Sequence, residues 1–154
     1  MKYFTKLLSL MATICIIASA SLKVNASAYD TKYNELWINA GGSTFTTTTS
    51  TTNTTRTTCY MRLYYFKFTY YPENAMPGGR YIYSRLYTVP NDSSSSQPAS
   101  SLASFSKTTS AGQYNYSYNS GCGGSGQSYK LKTNSSYTLS GAWATFYWSA
   151  NPYI

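Results

Sequence analysis

From Thr58 to Tyr71 the side chains alternate with a period of two. Cys59, Met61, Leu63 and Tyr65 fall on odd positions, and Tyr60, Arg62, Tyr64, Phe66 and Phe68 on even ones. Such alternation marks a half-buried strand. The cysteine and aliphatics assign the odd face to the core until Lys67 takes that parity and Phe66 and Phe68 become the apolar pair. A β-bulge near Tyr65 that swaps the faces accounts for the change. Residues Arg80 to Val89 alternate again, with Ile82 and Leu86 inward and Tyr81, Tyr83, Arg85 and Tyr87 outward. Between the two runs, Pro72 to Gly79 has the Pro and Gly content of a hairpin loop, so the runs are expected to pair antiparallel.

Further strands are expected at Leu36-Trp37-Ile38, at Leu102 to Lys107, around Tyr114, Tyr116 and Tyr118, and at Tyr129 and Leu131. A last one runs through Tyr137, Leu139, Trp143, Phe146 and Trp148 and is apolar on both faces, as a central strand would be. The polar run 91–98 and the glycine-rich stretch 119–127 read as loops. A largely Thr tract, residues 43–58, reads as a polar, extended edge strand because Thr is β-branched. No window of eleven or more residues carries a helical stripe, and no internal repeat of fixed period is present. The expectation is an all-β fold: one antiparallel β-sandwich of six to eight strands, with a small β-barrel as the alternative.

Residues 1–28 read as a signal peptide, expected to be helical. Lys2 and Lys6 precede an apolar stretch from Leu7 to Ala20 that is short for a membrane span, and Ala26-Ser27-Ala28 fits the A-x-A cleavage pattern. An earlier cut after Ala20 is the alternative. Residues 29–154 then form a single secreted, extracellular domain. Cleavage removes Lys2, Lys6 and Lys23 from twelve basic residues; against four acidic ones, the net charge falls from +8 to +5. This moderate excess suits anionic surfaces and also keeps a low-charge protein soluble. Cleavage also removes Cys15. The remaining even pair in an oxidising compartment, Cys59 and Cys122, is expected to form a disulfide, which stabilises by about 4 kcal/mol on the chain-entropy model.

The chemistry open to this chain is narrow. It has no His, so Ser-His-Asp and Cys-His arrangements, imidazole-bound metals and His-based proton transfer are excluded. The carboxylates are Asp30, Glu35, Glu73 and Asp92, none with a visible partner, whereas glycoside hydrolysis needs two at a defined separation. No catalytic residues, cofactor or metal ligands are therefore expected, and the protein is expected not to be an enzyme. Charged residues make up only 10% of the chain, while 18 Tyr and three Trp give it a heavy aromatic load.

Pairing of the two alternating runs would put Tyr60, Arg62, Tyr64, Tyr81, Tyr83, Arg85 and Tyr87 on one face. Aromatic rings stack on sugars, and Arg forks onto phosphate or carboxylate groups. The same residues also make ordinary cross-strand pairs, at about 0.2–1 kcal/mol each. The Thr tract has three readings: a solvated edge, a glycosylated stalk, or an insertion hairpin like those of β-pore-forming toxins. The last lacks an apolar outer face, since Phe45 is its only large apolar residue. Within residues 29–154, acceptor sequons for Asn glycosylation occur at Asn53, Asn91, Asn115 and Asn134.

The signal peptide, the Tyr/Thr/Ser/Asn-rich remainder and the segment Tyr137-Thr138-Leu139-Ser140-Gly141-Ala142-Trp143 resemble small exported proteins of Gram-positive bacteria, including lactococcin-like bacteriocins. The cysteine pair and the Thr tract depart from the bacteriocin pattern. The resemblance implies a secreted β-sandwich acting on bacterial envelopes, with no catalytic residues to carry over. The expected function is binding of a cell-surface or extracellular polymer, a glycan or an anionic cell-wall polymer, through exposed Tyr, Trp and Arg. The alternatives are a bacteriocin-like or toxin-like envelope effector and a structural matrix component. Nucleic acid is not an expected partner, membrane contact is not predicted, and no oligomeric state is specified.

Overall fold

The computed structural model describes residues 31–90, 95–109 and 114–153. The expected signal helix, its cleavage site, Cys15, Asp30 and Asp92 lie outside the described residues. Nine strands are described: β1 (Lys32–Ile38), β2 (Ser43–Phe45), β3 (Ser50–Thr51), β4 (Thr58–Phe68), β5 (Ile82–Thr88), β6 (Ala103–Phe105), β7 (Asn115–Ser117), β8 (Ser128–Ser135) and β9 (Ala142–Ser149). They form two antiparallel sheets. Sheet A has the order β1-β9-β4-β7; sheet B has the order β2-β8-β5-β6, with β3 also paired to β8. The chain is all-β, and no described residue is helical.

The sheets face each other across one core, a sandwich-like arrangement. Leu36, Met61, Leu63, Phe66, Phe146 and Trp148 from sheet A meet Ile82, Leu86, Phe105, Tyr129 and Leu131 from sheet B. Phe105 and Phe146 touch edge to face between the layers, with ring centroids 5.8 Å apart. The inward faces also bury polar groups in pairs. Ser84 and Thr133, opposite one another in β5 and β8, join hydroxyls at 3.0 Å, which removes the penalty of burying either alone.

The alternation in β4 resolves as expected. Its register against β9 shifts between Leu63 and Tyr65, so Cys59, Met61 and Leu63 point inward before the bulge and Phe66 and Phe68 after it. The strand that is apolar on both faces, β9, lies between β1 and β4 at the centre of sheet A, but it begins only at Ala142: Tyr137, which is buried, and Leu139, which is exposed, precede it in the connection from β8.

The expected hairpin does not form: β4 and β5 belong to different sheets. At thirteen residues, segment 69–81 is long for a hairpin turn and serves as a crossover between layers. Asn74, at φ 56°, folds this segment back on β4. Its amide donates to the Phe66 carbonyl at 2.8 Å and its Oδ1 accepts from the Phe66 amide at 3.0 Å. The β4 edge that β5 would have used is thereby taken, and Thr109 and Tyr114 bond to the same strand at Leu63 and Met61.

The Thr tract is not a uniform edge strand. Two short pieces, β2 and β3, pair with β8, and the residues around them seal the side of the molecule between β8 and sheet A. Thr44 Oγ1 donates to the Trp37 carbonyl at 2.7 Å and Thr48 Oγ1 to Asn34 Oδ1 at 2.8 Å, both in β1. Buried Ser50 accepts from the Ala150 amide at 2.8 Å, and buried Thr46 accepts from the Leu131 amide at 3.0 Å. Asn151 adds two more links, to the Asn53 amide and the Thr51 carbonyl. A run of small hydroxyls satisfies backbone groups that an apolar tract would leave orphaned.

Cys59 and Cys122 are free thiols, so the expected disulfide is not made in this structure. Cys59 is fully buried in β4, with its Sγ 3.4 Å from the Tyr116 carbonyl. Burial pushes its thiol up to about 12, against a smaller opposing effect from the Ser100 hydroxyl, and burial also raises that of Cys122. The glycine-rich loop is held by its own bonds: Gly123 donates to the Tyr129 hydroxyl at 2.6 Å and accepts from the Arg56 amide at 2.7 Å.

Candidate functional site

Outward side chains of sheet A align in rows set by the strand register. Tyr33, Tyr147 and Arg62 occupy one row across β1, β9 and β4; Glu35, Thr145 and Tyr65 the next; Trp37, Trp143 and Lys67 the third. Tyr33 and Trp37 are four residues apart on β1, so the outer rows are about 14 Å apart. In the Trp row the indoles of Trp37 and Trp143 meet edge-on with centroids 5.3 Å apart, and Trp37 Nε1 donates to Asn39 Oδ1 at 3.0 Å. Gly141 makes room for this pair, because a Cβ there would collide with the Trp37 ring. With Lys67 and Thr69 the two indoles line a surface hollow of about 370 Å³.

The Tyr row is built in the same way. Tyr147 contacts Tyr33 at 5.2 Å on one side and Tyr64 at 5.4 Å on the other. The Arg62 guanidinium lies 5.3 Å from the Tyr64 ring centre and 5.8 Å from that of Tyr147, while its Nε donates to the Thr109 carbonyl at 2.8 Å. It borders a second hollow of about 460 Å³ with Tyr64, Lys107 and Tyr114. The aromatic surfaces are open: Tyr33 is 55% exposed, Tyr64 49%, Trp143 46% and Trp37 39%. Exposed aromatics gathered on one sheet face are unusual for a surface with no partner.

Between the rows lies a polar cluster. Glu73, from the crossover segment, pairs with Lys67 at 3.9 Å and lies near enough to Tyr65 for its charge to act on the phenol. Partial desolvation first, then the charges of Glu73 and Glu35, raise the Tyr65 phenol above its ordinary value. Glu73 and Glu35, neither with a partner visible in the sequence, therefore share one neighbour. Among the described residues no group of three or more His, Cys, Asp or Glu side chains is placed to hold a metal ion, and no helix is long and apolar enough to cross a membrane.

The expected platform of seven residues is divided between the two sheets. Tyr60, Arg62 and Tyr64 lie on the outer face of sheet A, whereas Tyr83, Arg85 and Tyr87 lie on β5 in sheet B, with Tyr81 just before it stacked on Tyr83 at 5.9 Å. The division follows from the missing hairpin. Tyr60 is only 3% exposed, stacked beneath Tyr153 at 5.0 Å, so it supports the face rather than presenting itself. Sequence reasoning missed Tyr33, Trp37, Trp143 and Tyr147 because β1 and β9 are far apart in the chain. The signal was present in the matching alternation of Tyr33-Glu35-Trp37 and Trp143-Thr145-Tyr147. No protein-family model matches the chain, and neither a curated protein nor a solved structure does.

Proposed function

We propose that the chain is a secreted, non-enzymatic protein that binds an extracellular glycan polymer along the outer face of sheet A. Sugar rings stack on Trp37 and Trp143 at one end and on Tyr33, Tyr64 and Tyr147 at the other, with Arg62 available to hydroxyl or acidic substituents. The observation that carries this reading is the pair of open aromatic rows, held in register on three strands and separated by a polar strip. A rigid sheet presents such rings at small entropic cost, which favours binding over chemistry. Export is read from residues 1–28, and the likeness to exported proteins of Gram-positive bacteria makes their cell wall the first glycan to test.

The exported protein is mixed with purified Gram-positive cell walls at low and at high salt and sedimented. Aromatic stacking is insensitive to screening, so the protein should pellet in both. The Trp37→Ala/Trp143→Ala double variant should bind about tenfold more weakly, a change of about 1.4 kcal/mol, with unchanged unfolding temperature. Retention of the double variant equal to that of the parent, or failure of the parent to pellet in either salt, overturns this reading.

A further inference from the structure

The outer face of sheet B differs from that of sheet A in charge. Strand β8 alternates buried Tyr129, Leu131 and Thr133 with outward Lys130, Lys132 and Asn134. Register sets Lys132 directly opposite Arg85 of β5, and Lys130 opposite Tyr87. Like charges facing across adjacent strands repel. Aromatic rings relieve part of this. Lys130 Nζ lies 4.6 Å and Lys132 Nζ 5.2 Å from the centre of the Phe45 ring, and Lys132 is also 5.2 Å from Tyr87.

No described carboxylate completes the neutralisation. Glu35 and Glu73, the two acids among the described residues, both lie about Tyr65 on sheet A. Arg85 Nε is buried and has no hydrogen-bond partner. Arg85, Lys132, Asn134 and Ser43 line a hollow of about 370 Å³ beside Gly41 and Gly42. The hollow therefore brings together a guanidinium with an unused donor, an ammonium, a carboxamide and a hydroxyl.

We propose that this hollow is an anion site that takes the phosphate group of a glycerol-phosphate-type polymer. A tetrahedral oxyanion accepts the Arg85 fork on two oxygens and Lys132 as a point charge, leaving Asn134 and Ser43 to complete its hydrogen bonds. Lys130 lies two residues along β8 from Lys132, about 6.8 Å away, so a second phosphate of the same chain meets it while the first fills the hollow. A repeating polyanion matches that line of cations better than a single ion does. The site is independent of glycan binding on sheet A and lies on the opposite face of the molecule.

The test is an NMR titration of the exported protein with sodium phosphate at constant ionic strength. Saturable shifts are expected at the Arg85 Nε–Hε and at the amides of residues 41–43 and 132–134. Arg85→Gln and Lys132→Gln should each weaken binding about tenfold. Arg85→Lys, which keeps the charge and loses the fork, should fall between. Trp37→Ala should leave the titration unchanged, which separates this site from the aromatic face. If Arg85→Gln fails to fold, Lys132→Gln and Lys130→Gln carry the test. Poly(glycerol phosphate) should compete with inorganic phosphate and bind more tightly. Linear shifts without saturation, shifts centred on Arg62 and Lys107, or variants that titrate like the parent overturn the site. Capture by phosphatidylglycerol vesicles with no binding of the soluble polymer overturns the polymer as its source.

Discussion

Gly123→Ala should be among the most damaging single substitutions in the chain, for reasons that can be separated by measurement. Gly123 has φ +84°, and a Cβ there would run into the backbone carbonyl of Arg56 and come within 2.8 Å of the Tyr118 ring. The left-handed backbone costs a non-glycine residue about 1–2 kcal/mol. Forcing a methyl group into filled space adds about 1–3 kcal/mol. Displacing Arg56 also stretches the 2.7 Å bond from its amide to the Gly123 carbonyl, a loss of about 0.5–1.5 kcal/mol. The total is about 2.5–6.5 kcal/mol, a large part of the stability of a domain this size. Gly126 is the control: its φ is +77°, but nothing lies within 4 Å of its Cβ position, so Gly126→Ala should cost only the backbone part, about 1–2 kcal/mol. Urea unfolding of the parent and both variants, compared at equal slope, isolates the steric contribution as the difference between the two substitutions. Losses equal to within about 0.5 kcal/mol would refute the argument that the glycine-rich loop is closed against Arg56 and Tyr118.

Two further outcomes follow from buried polar groups. Asn34→Ala should destabilise by about 1–3 kcal/mol, because Asn34 Oδ1 accepts both the buried Trp148 indole N–H at 2.8 Å and the Thr48 hydroxyl; thermal unfolding reads the loss, and a change no larger than that of an exposed Thr47→Ala control refutes it. Stability should also fall as pH rises above 9 under reducing conditions. The Cys59 thiol stays protonated in the folded protein up to about 12 but ionises near 9 when unfolded, so the folded state holds more protons in that window and each unit costs about 1.4 kcal/mol. Burial raises Tyr118 with the same sign. Urea unfolding between pH 8 and pH 11 should show this decline, and Cys59→Ala, though less stable throughout, should make it shallower and leave the part that Tyr118 contributes.

Much of the fold was legible because strand periodicity is local. The swap of faces at the β4 bulge could be read from Lys67 and Phe66 alone, and Ile82 and Leu86 face inward as their parity requires. The double-sided apolarity of Ala142–Ser149 marked the central strand, since only a strand covered on both faces keeps such a sequence out of water. The outward parity of Arg85 and Tyr87 could be read in the same way.

Pairing is not local, and it decided the rest. Whether β4 meets β5 or β9 depends on which partner buries more apolar surface and on whether the intervening segment turns tightly. Asn74, Thr109, Tyr114 and β7 occupy the β4 edge and send β5 to the other sheet. That single choice divided the expected platform and brought Trp37 beside Trp143 and Arg85 beside Lys132, residues far apart in the chain. The Thr tract shows the same division. Its β propensity is written in the residue type, but the backbone groups that its hydroxyls satisfy, from Leu131 to Ala150, exist only once both sheets are assembled. The sequence by itself determined which side chains point in and which point out; the tertiary structure decided which outward side chains stand together, because a strand's alternation carries no information about its neighbour.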